Sequence, residues 1–260
     1  MVRLTWFGQA GFVIETPSAR VGIDLFLTDT EGAKKPVAAL DALGQLDAVC
    51  STHEHLDHFD APLLGELALR QSGLRVVVPP PLRGQAESLG FGGRLEEAIV
   101  HRPITVGGDI TIFPVPSCHG VNMSDAYHLG QPPGQFVGYV IKAGDIVVYH
   151  SGDTVIWATM EEDIASYGVD VALLPINGRD SFRESMGIVG NLSAEEAVEV
   201  AHRLGARVLV PMHFDAFLAN PGSPEAAVRH ARQFHPDLTV LVLGYLNPID
   251  LAGHSRQGRI

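Results

Sequence analysis

Three histidines and an aspartate fall within six residues of the run Thr52-His53-Glu54-His55-Leu56-Asp57-His58. Imidazole and carboxylate are the side chains that Zn²⁺, Mn²⁺ or Fe²⁺ takes as ligands. On an extended segment, residues two apart point the same way, so His53 and His55 can hold one metal ion together. Asp57 and His58 are adjacent, project differently and can reach a second ion. The helical zinc-protease pattern His-Glu-x-x-His is a different motif: it needs histidine at position 57, where this chain has Asp57. More metal-ligating side chains follow later, as His119 in Pro116-Ser117-Cys118-His119-Gly120, Asp153 in His150-Ser151-Gly152-Asp153-Thr154, and His213 in Pro211-Met212-His213. Cys118 beside His119 is not read as a Cys–His nucleophile, because neighbours in an extended chain face opposite ways; it reads as packing.

These residues need elements to position them. The first cluster follows the strand-like run Gln45–Ser51. His119 follows DITIFPVP, Asp153 follows DIVVYHS, and His213 follows RVLVPM. In sheet-based folds, sites assemble at strand ends and in the loops after them. The chain opens with three β-like runs, VRLTWFG, GFVIET and ARVGIDLF, separated by turn signals. Pro62–Arg70 reads as a helix with Asp60 as its N-cap, and Leu74–Val78 as a strand. QFVGYVIKAG and Val169–Leu174 add further strands. Ser193–Leu204 is the clearest helix: Ser193 and Glu196 form a capping box, and Gly205 supplies the stop. Arg207–Val210 is a strand, a last helix starts at Ser223-Pro224, and a last strand is expected over Leu238–Leu243. Strands precede strand–helix units, and the pattern occurs twice. Two sheets face to face with helices outside satisfy that order.

The spacing His-x-His-x-Asp-His, then His, then Ser-Gly-Asp, then a late His, resembles the metallo-β-lactamase-fold hydrolases, from Trp6 to about Asn220. Asn177-Gly178-Arg179, Asn191–Ala194 and Pro211-Met212-His213-Phe214 resemble the branch typified by L-ascorbate-6-phosphate lactonase. The resemblance implies an α/β fold, the four-layer αββα sandwich, as a single domain over residues 1–260. It implies two divalent metal ions, Zn or Mn with Fe as a further option. His53, His55 and His119 would bind the first, Asp57, His58 and His213 the second, and Asp153 would bridge them. Asp57 would also be catalytic, orienting the nucleophile or carrying a proton. Asp24 resembles an aspartate that supports ligand histidines, and reads equally as a turn aspartate.

The remaining features bear on substrate. Arg179 and Arg183, in NGRDSFRES, could clamp a phosphate or carboxylate, since guanidinium pairs bidentately with such groups. They read equally as members of a solvated loop with internal acid–base pairs. Val121–Gly134 could wall the site, with Tyr127 and His128 touching substrate. His150 reads as structural; His101, His202, His230, His235 and His254 read as surface or capping residues. The expected activity is metal-dependent hydrolysis of a small anionic molecule, a sugar-acid lactone first. The alternatives are a small-molecule phosphodiesterase and a non-hydrolytic metal-binding or sensor protein. The first would attack phosphorus rather than carbon; the second is weakened by the full ligand set.

Composition sets the outer bounds. With 18 Lys and Arg against 30 Asp and Glu the net charge is −12, which argues against a nucleic-acid partner. No run is long and apolar enough for a membrane span, and the N-terminus lacks the pattern of a signal peptide. Two cysteines give no disulfide framework, so a cytoplasmic location is expected. A small-molecule substrate is the expected partner, with homo-oligomerisation open.

Overall fold

The computed structural model describes residues 1–130 and 134–251. His254 and positions 131–133 of the Val121–Gly134 loop lie outside them. The first half contains β1 (Arg3–Trp6), β2 (Phe12–Glu15), β3 (Arg20–Ile23), β4 (Ala48–Cys50), α1 (Ala61–Arg70), β5 (Arg75–Val78), α2 (Arg83–Ser88) and β6 (Leu95–Glu97). The second contains β7 (Ile104–Val106), β8 (Ile110–Pro116), β9 (Val137–Ala143), β10 (Ile146–His150), α3 (Met160–Ile164), β11 (Val171–Pro175), α4 (Ser181–Ser185), α5 (Ala194–Arg203), β12 (Val208–Met212), α6 (Pro224–Phe234), β13 (Thr239–Val240) and β14 (Ile249–Asp250). The described strands form two sheets, ordered β14-β1-β2-β3-β4-β5-β6 and β13-β12-β11-β10-β9-β8-β7.

Alternation along the strands builds the layers. Ala48, Cys50 and Val77 face inward, and meet Val171, Leu173, Val208, Val210 and Met212 of the other sheet in one shared core. Their neighbours face outward. Val49, Val76 and Val78 pack under α1 and α2 through Leu63, Leu64, Leu67 and Ala86. Ala172, Leu174 and Leu209 pack under α3, α5 and α6 through Met160, Ile164, Ala197, Ala201, Ala227 and Ala231. Strands buried on both faces read as continuous apolar runs, which is why β5, β11 and β12 stand out in the sequence. The result is the expected helix–sheet–sheet–helix stacking.

The caps hold as read. Asp60 accepts from Leu63 N at the start of α1, and Ser193 with Glu196 closes the capping box of α5. One expectation fails. The strand expected over Leu238–Leu243 shrinks to two residues, and the chain continues to β14, which pairs antiparallel with β1 at the edge of the first sheet. The short helix α2 was not among the expected elements. Short edge elements carry too few residues to show a period. Among the described residues no helix is long and apolar enough to cross a membrane.

Candidate metal centre

Strand direction explains why distant residues meet. β3, β4 and β5 are parallel in the first sheet. In the second, β8 and β10 both run antiparallel to β9, and β10, β11 and β12 are parallel. The carboxyl ends of β3, β4, β8, β10 and β12 therefore lie on one side of the sandwich. Asp24 follows β3, the His53–His58 cluster follows β4, His119 follows β8, Asp153 follows β10 and His213 follows β12. The two sheets are tied together at this edge, where Tyr139 donates its hydroxyl to Ser51 O at 2.6 Å and Val137 N donates to Thr52 O at 3.1 Å.

The side chains that could hold metal fall into two groups, His53, His55, His119 and Asp153 in one and Asp57, His58 and His213 in the other. In the first, His53 Nε2 lies 2.9 Å from His55 Nδ1, and His119 Nε2 lies 3.4 Å from His55 Nδ1 and 3.5 Å from Asp153 Oδ2. In the second, His213 Nε2 lies 3.1 Å and His58 Nε2 lies 3.6 Å from Asp57 Oδ2. The other oxygen of Asp153, Oδ1, lies 3.2 Å from both His58 Nε2 and His213 Nε2. One carboxylate thus faces both groups, one oxygen to each. Gly152 lets it do so: its φ is +60°, and a Cβ there would meet Thr52 Cβ at 2.8 Å.

Backbone and neighbours fix the rings. His58 Nδ1 pairs with Asp24 Oδ2 at 2.6 Å, and Asp24 also accepts from Thr52 N and Oγ1. His55 Nε2 faces Val121 O at 3.0 Å, and His53 Nδ1 faces Thr52 Oγ1 at 3.1 Å. A hydrogen bond on one ring nitrogen frees the other for a ligand role. Asp24 is thus seated beneath His58, which decides between its two readings. Phe136 lies edge-on to the rings of His53, His119 and His128. His150 bonds Ala10 O and Gly152 N, a structural placement. Cys118 packs in the outer core under α3 and α5.

Gln9 escaped the sequence reading. It sits in the β1–β2 turn, 2% exposed, with its Nε2 2.7 Å from Asp57 Oδ2 and 3.0 Å from His213 Nε2. Glutamine carries no ligand signature, so only its place between Gly8 and Gly11 hinted at a special turn. Gln9, Asp24 and His213 all have positive φ, at 50°, 46° and 58°. Each such residue costs roughly 1–2 kcal/mol, and their gathering at one site marks strain held by surrounding packing.

The electrostatics fit a bound cation. Burial, with the neighbouring His58, His55 and His119 rings, holds His53 well below its ordinary value. Burial takes His119 down to about 3. Both therefore present neutral imidazole lone pairs at pH 7. Burial opposes ionisation of Asp57 and Asp153, yet the facing His58 and His213 outweigh it and lower both carboxyls. The same two histidines are raised, since Asp153 and Asp57 outweigh burial there. His58 Nε2 and Asp153 Oδ1 are buried and face each other at 3.2 Å without hydrogen-bond geometry. Buried imidazole and carboxylate atoms turned toward one place in this way suit a divalent metal.

Above the cluster opens a cleft of about 230 Å³, walled by Val121, Ile188, Val189, Phe217, Ala219 and Asn220, with His55, Asp57, Asp153 and His213 at its base. The guanidinium readings resolve toward internal pairing. Arg179 forks onto both oxygens of Glu196 at 2.7 and 2.8 Å, and donates to Asn191 O. Arg183 binds Asp180, Asn177 O and Asn220 Oδ1. Neither lines the cleft, and both make the internal pairs that were the second of their two readings, tying their loop to α4 and α5. Asn220 Oδ1 accepts from both Arg183 and Asn177 Nδ2, which leaves its own Nδ2 as donor. Tyr127 bonds Glu184 and Gly190 N, and His128 bridges to His119 through backbone hydrogen bonds; neither lines the cleft.

Comparison with known proteins agrees with this geometry. A family described as the beta-lactamase superfamily domain matches residues 11–214. A UPF0173 metal-dependent hydrolase of Rubrobacter xylanophilus is 31% identical over 249 residues, 93% of each chain. Another, of Pyrococcus horikoshii, is 32% identical over 234 residues, 86% of this chain and 90% of that one. The structure of Igni18, a metallo hydrolase from Ignicoccus hospitalis, superposes with a TM-score of 0.74 at 25% identity, covering 95% of this chain and 97% of that one.

Proposed function

The chain belongs to the β-lactamase superfamily, as a relative of the UPF0173 metal-dependent hydrolases with the metallo-β-lactamase fold, and from that premise we propose a hydrolase with a binuclear centre. His53, His55 and His119 would hold the first metal and Asp57, His58 and His213 the second, with Asp153 facing both groups. The observation that carries this reading is Asp153, whose two oxygens face the two groups of ligands separately. Divalent cations bound there would supply Lewis acidity, making water more acidic and polarising a substrate oxygen.

The chain's own residues do the rest. Asp57 is ionised at neutral pH and sits at the base of the cleft, where its carboxylate orients the attacking water and receives a proton afterwards. Asp24 keeps His58 in one orientation. The apolar wall excludes bulk water, and Asn220 offers a single neutral donor. Because the lining includes no lysine or arginine among the described residues, the wall favours a small, uncharged electrophile over a phosphate-bearing one. A lactone carbonyl stays the first bond to test, and the sugar phosphate does not.

Proton release by metal-reloaded protein tests this on neutral lactones, their phosphorylated counterparts, thioesters and phosphodiesters. We expect turnover of a neutral acyl compound, unchanged within about twofold in KM when Arg179 or Arg183 is replaced by Met. Turnover confined to phosphorylated compounds and lost with Arg183→Met would contradict the substrate reading.

A further inference from the structure

The Gln9 carboxamide stands among the donor atoms of the second group without belonging to the histidine–aspartate pattern. Its inward end lies 2.7 Å from Asp57 Oδ2 and 3.0 Å from His213 Nε2. Its other end, Oε1, is buried without a hydrogen-bond partner. The backbone holds it at four points: Gln9 N donates to Asp215 Oδ1, Gln9 O accepts from Trp6 Nε1 and from His213 N, and Gly11 N closes the turn onto Gly8 O. A strained, fully buried turn secured this firmly aims one side chain at one place.

Which end of a carboxamide faces a site follows from its partners. With nitrogen inward, the amide donates to Asp57 Oδ2 and lies against His213 Nε2, the ring atom turned toward the second group, while Oε1 stays unpaired. With oxygen inward, Oε1 joins Asp57 Oδ2 and His213 Nε2 as a third donor atom, an arrangement of like-charged lone pairs that a cation resolves. We propose that Gln9 is a further ligand of the second metal, through Oε1. This rests on the binuclear reading above and extends it. A side-chain amide oxygen beside two carboxylates gives that position three oxygen donors with two imidazoles. Such a set suits Mn²⁺ or Fe²⁺ better than a tetrahedral Zn²⁺.

Calorimetric titration of metal-free full-length protein with Mn²⁺ tests the role apart from activity. Wild type, Gln9→Leu and Gln9→Glu are compared at both sites. A ligand role predicts that Gln9→Leu weakens the second site about tenfold or more and leaves the first within twofold. It also predicts that Gln9→Glu, which keeps an oxygen and adds charge, binds the second ion as tightly as wild type or tighter. If Gln9 only donates a hydrogen bond to Asp57, the added carboxylate repels Asp57, and Gln9→Glu weakens the second site too; that result overturns the proposal. So does a Gln9→Leu protein whose second site stays within twofold of wild type. If Gln9→Leu does not fold, Gln9→Glu decides alone. Wild type taking up fewer than two ions would instead contradict the binuclear reading.

Discussion

Asp24 shows how much one buried side chain decides. It is fully enclosed, has a positive φ, and spends both oxygens on His58 and Thr52. Its carboxylate holds the His58 ring so that Nε2 faces the second group. Partners of this kind are worth about 10–100-fold in metal affinity. Asp24→Asn is therefore expected to weaken the second metal by about that factor while the first stays near wild type, as read by metal titration; equal weakening at both sites would mean a general disturbance of the β3–β4 edge. The residues of the His53–His58 run, with His119, Asp153 and His213, were legible in the sequence because imidazole and carboxylate at strand ends announce themselves. Gln9 and Asn220 were not, since amides occur everywhere and only the fold shows what they touch. Internal pairing was one of the two readings of Arg179 and Arg183, and Arg183 meets Asp180 of its own loop; the partner of Arg179 was hidden, because Glu196 lies in the capping box seventeen residues away.

At the scale of elements, α5 and α6 are clasped by charge at their outer rim. Glu199 Oε1 takes contacts from His230 Nε2 at 2.9 Å and His235 Nε2 at 2.8 Å, and His202 stacks on His235 with ring centres 3.9 Å apart. These histidines read as separate surface residues in the sequence, because their positions share no period and converge only when the helices pair. Hydrogen bonds from His230 and His235 lower the Glu199 carboxyl below its ordinary 4.5. A depressed carboxyl contributes stability above its unfolded value, and that contribution disappears as pH falls through the folded one. The clasp is partly exposed, so its worth is of order 0.5 kcal/mol. Glu199→Gln should thus unfold slightly more easily than wild type at pH 6, with the gap closing below about pH 4; a gap that persists at pH 3 in denaturant titrations would remove the ionic explanation. The strong elements, α1, α5 and the doubly buried strands, were readable from caps and apolar runs. The three-residue edge strands β6 and β7 were not, because they are too short to show a period, and β14 was not, because its partner lies nearly a whole chain away, as Leu4 with Ile249.

For the whole molecule, the decisive feature is that five parallel-running strand ends from two sheets open onto one edge, and that Asp153 stands at the junction. Everything else follows from that convergence: neutral imidazoles on one side, acid-paired imidazoles on the other, and an apolar cleft above. Metal content per chain, determined by elemental analysis for wild type and Asp153→Ala after reloading and removal of free ions, tests it most directly. The shared carboxylate predicts two ions per wild-type chain and loss of both in Asp153→Ala, with that variant still folded by circular dichroism. A single ion in wild type, or two retained by folded Asp153→Ala, would contradict it.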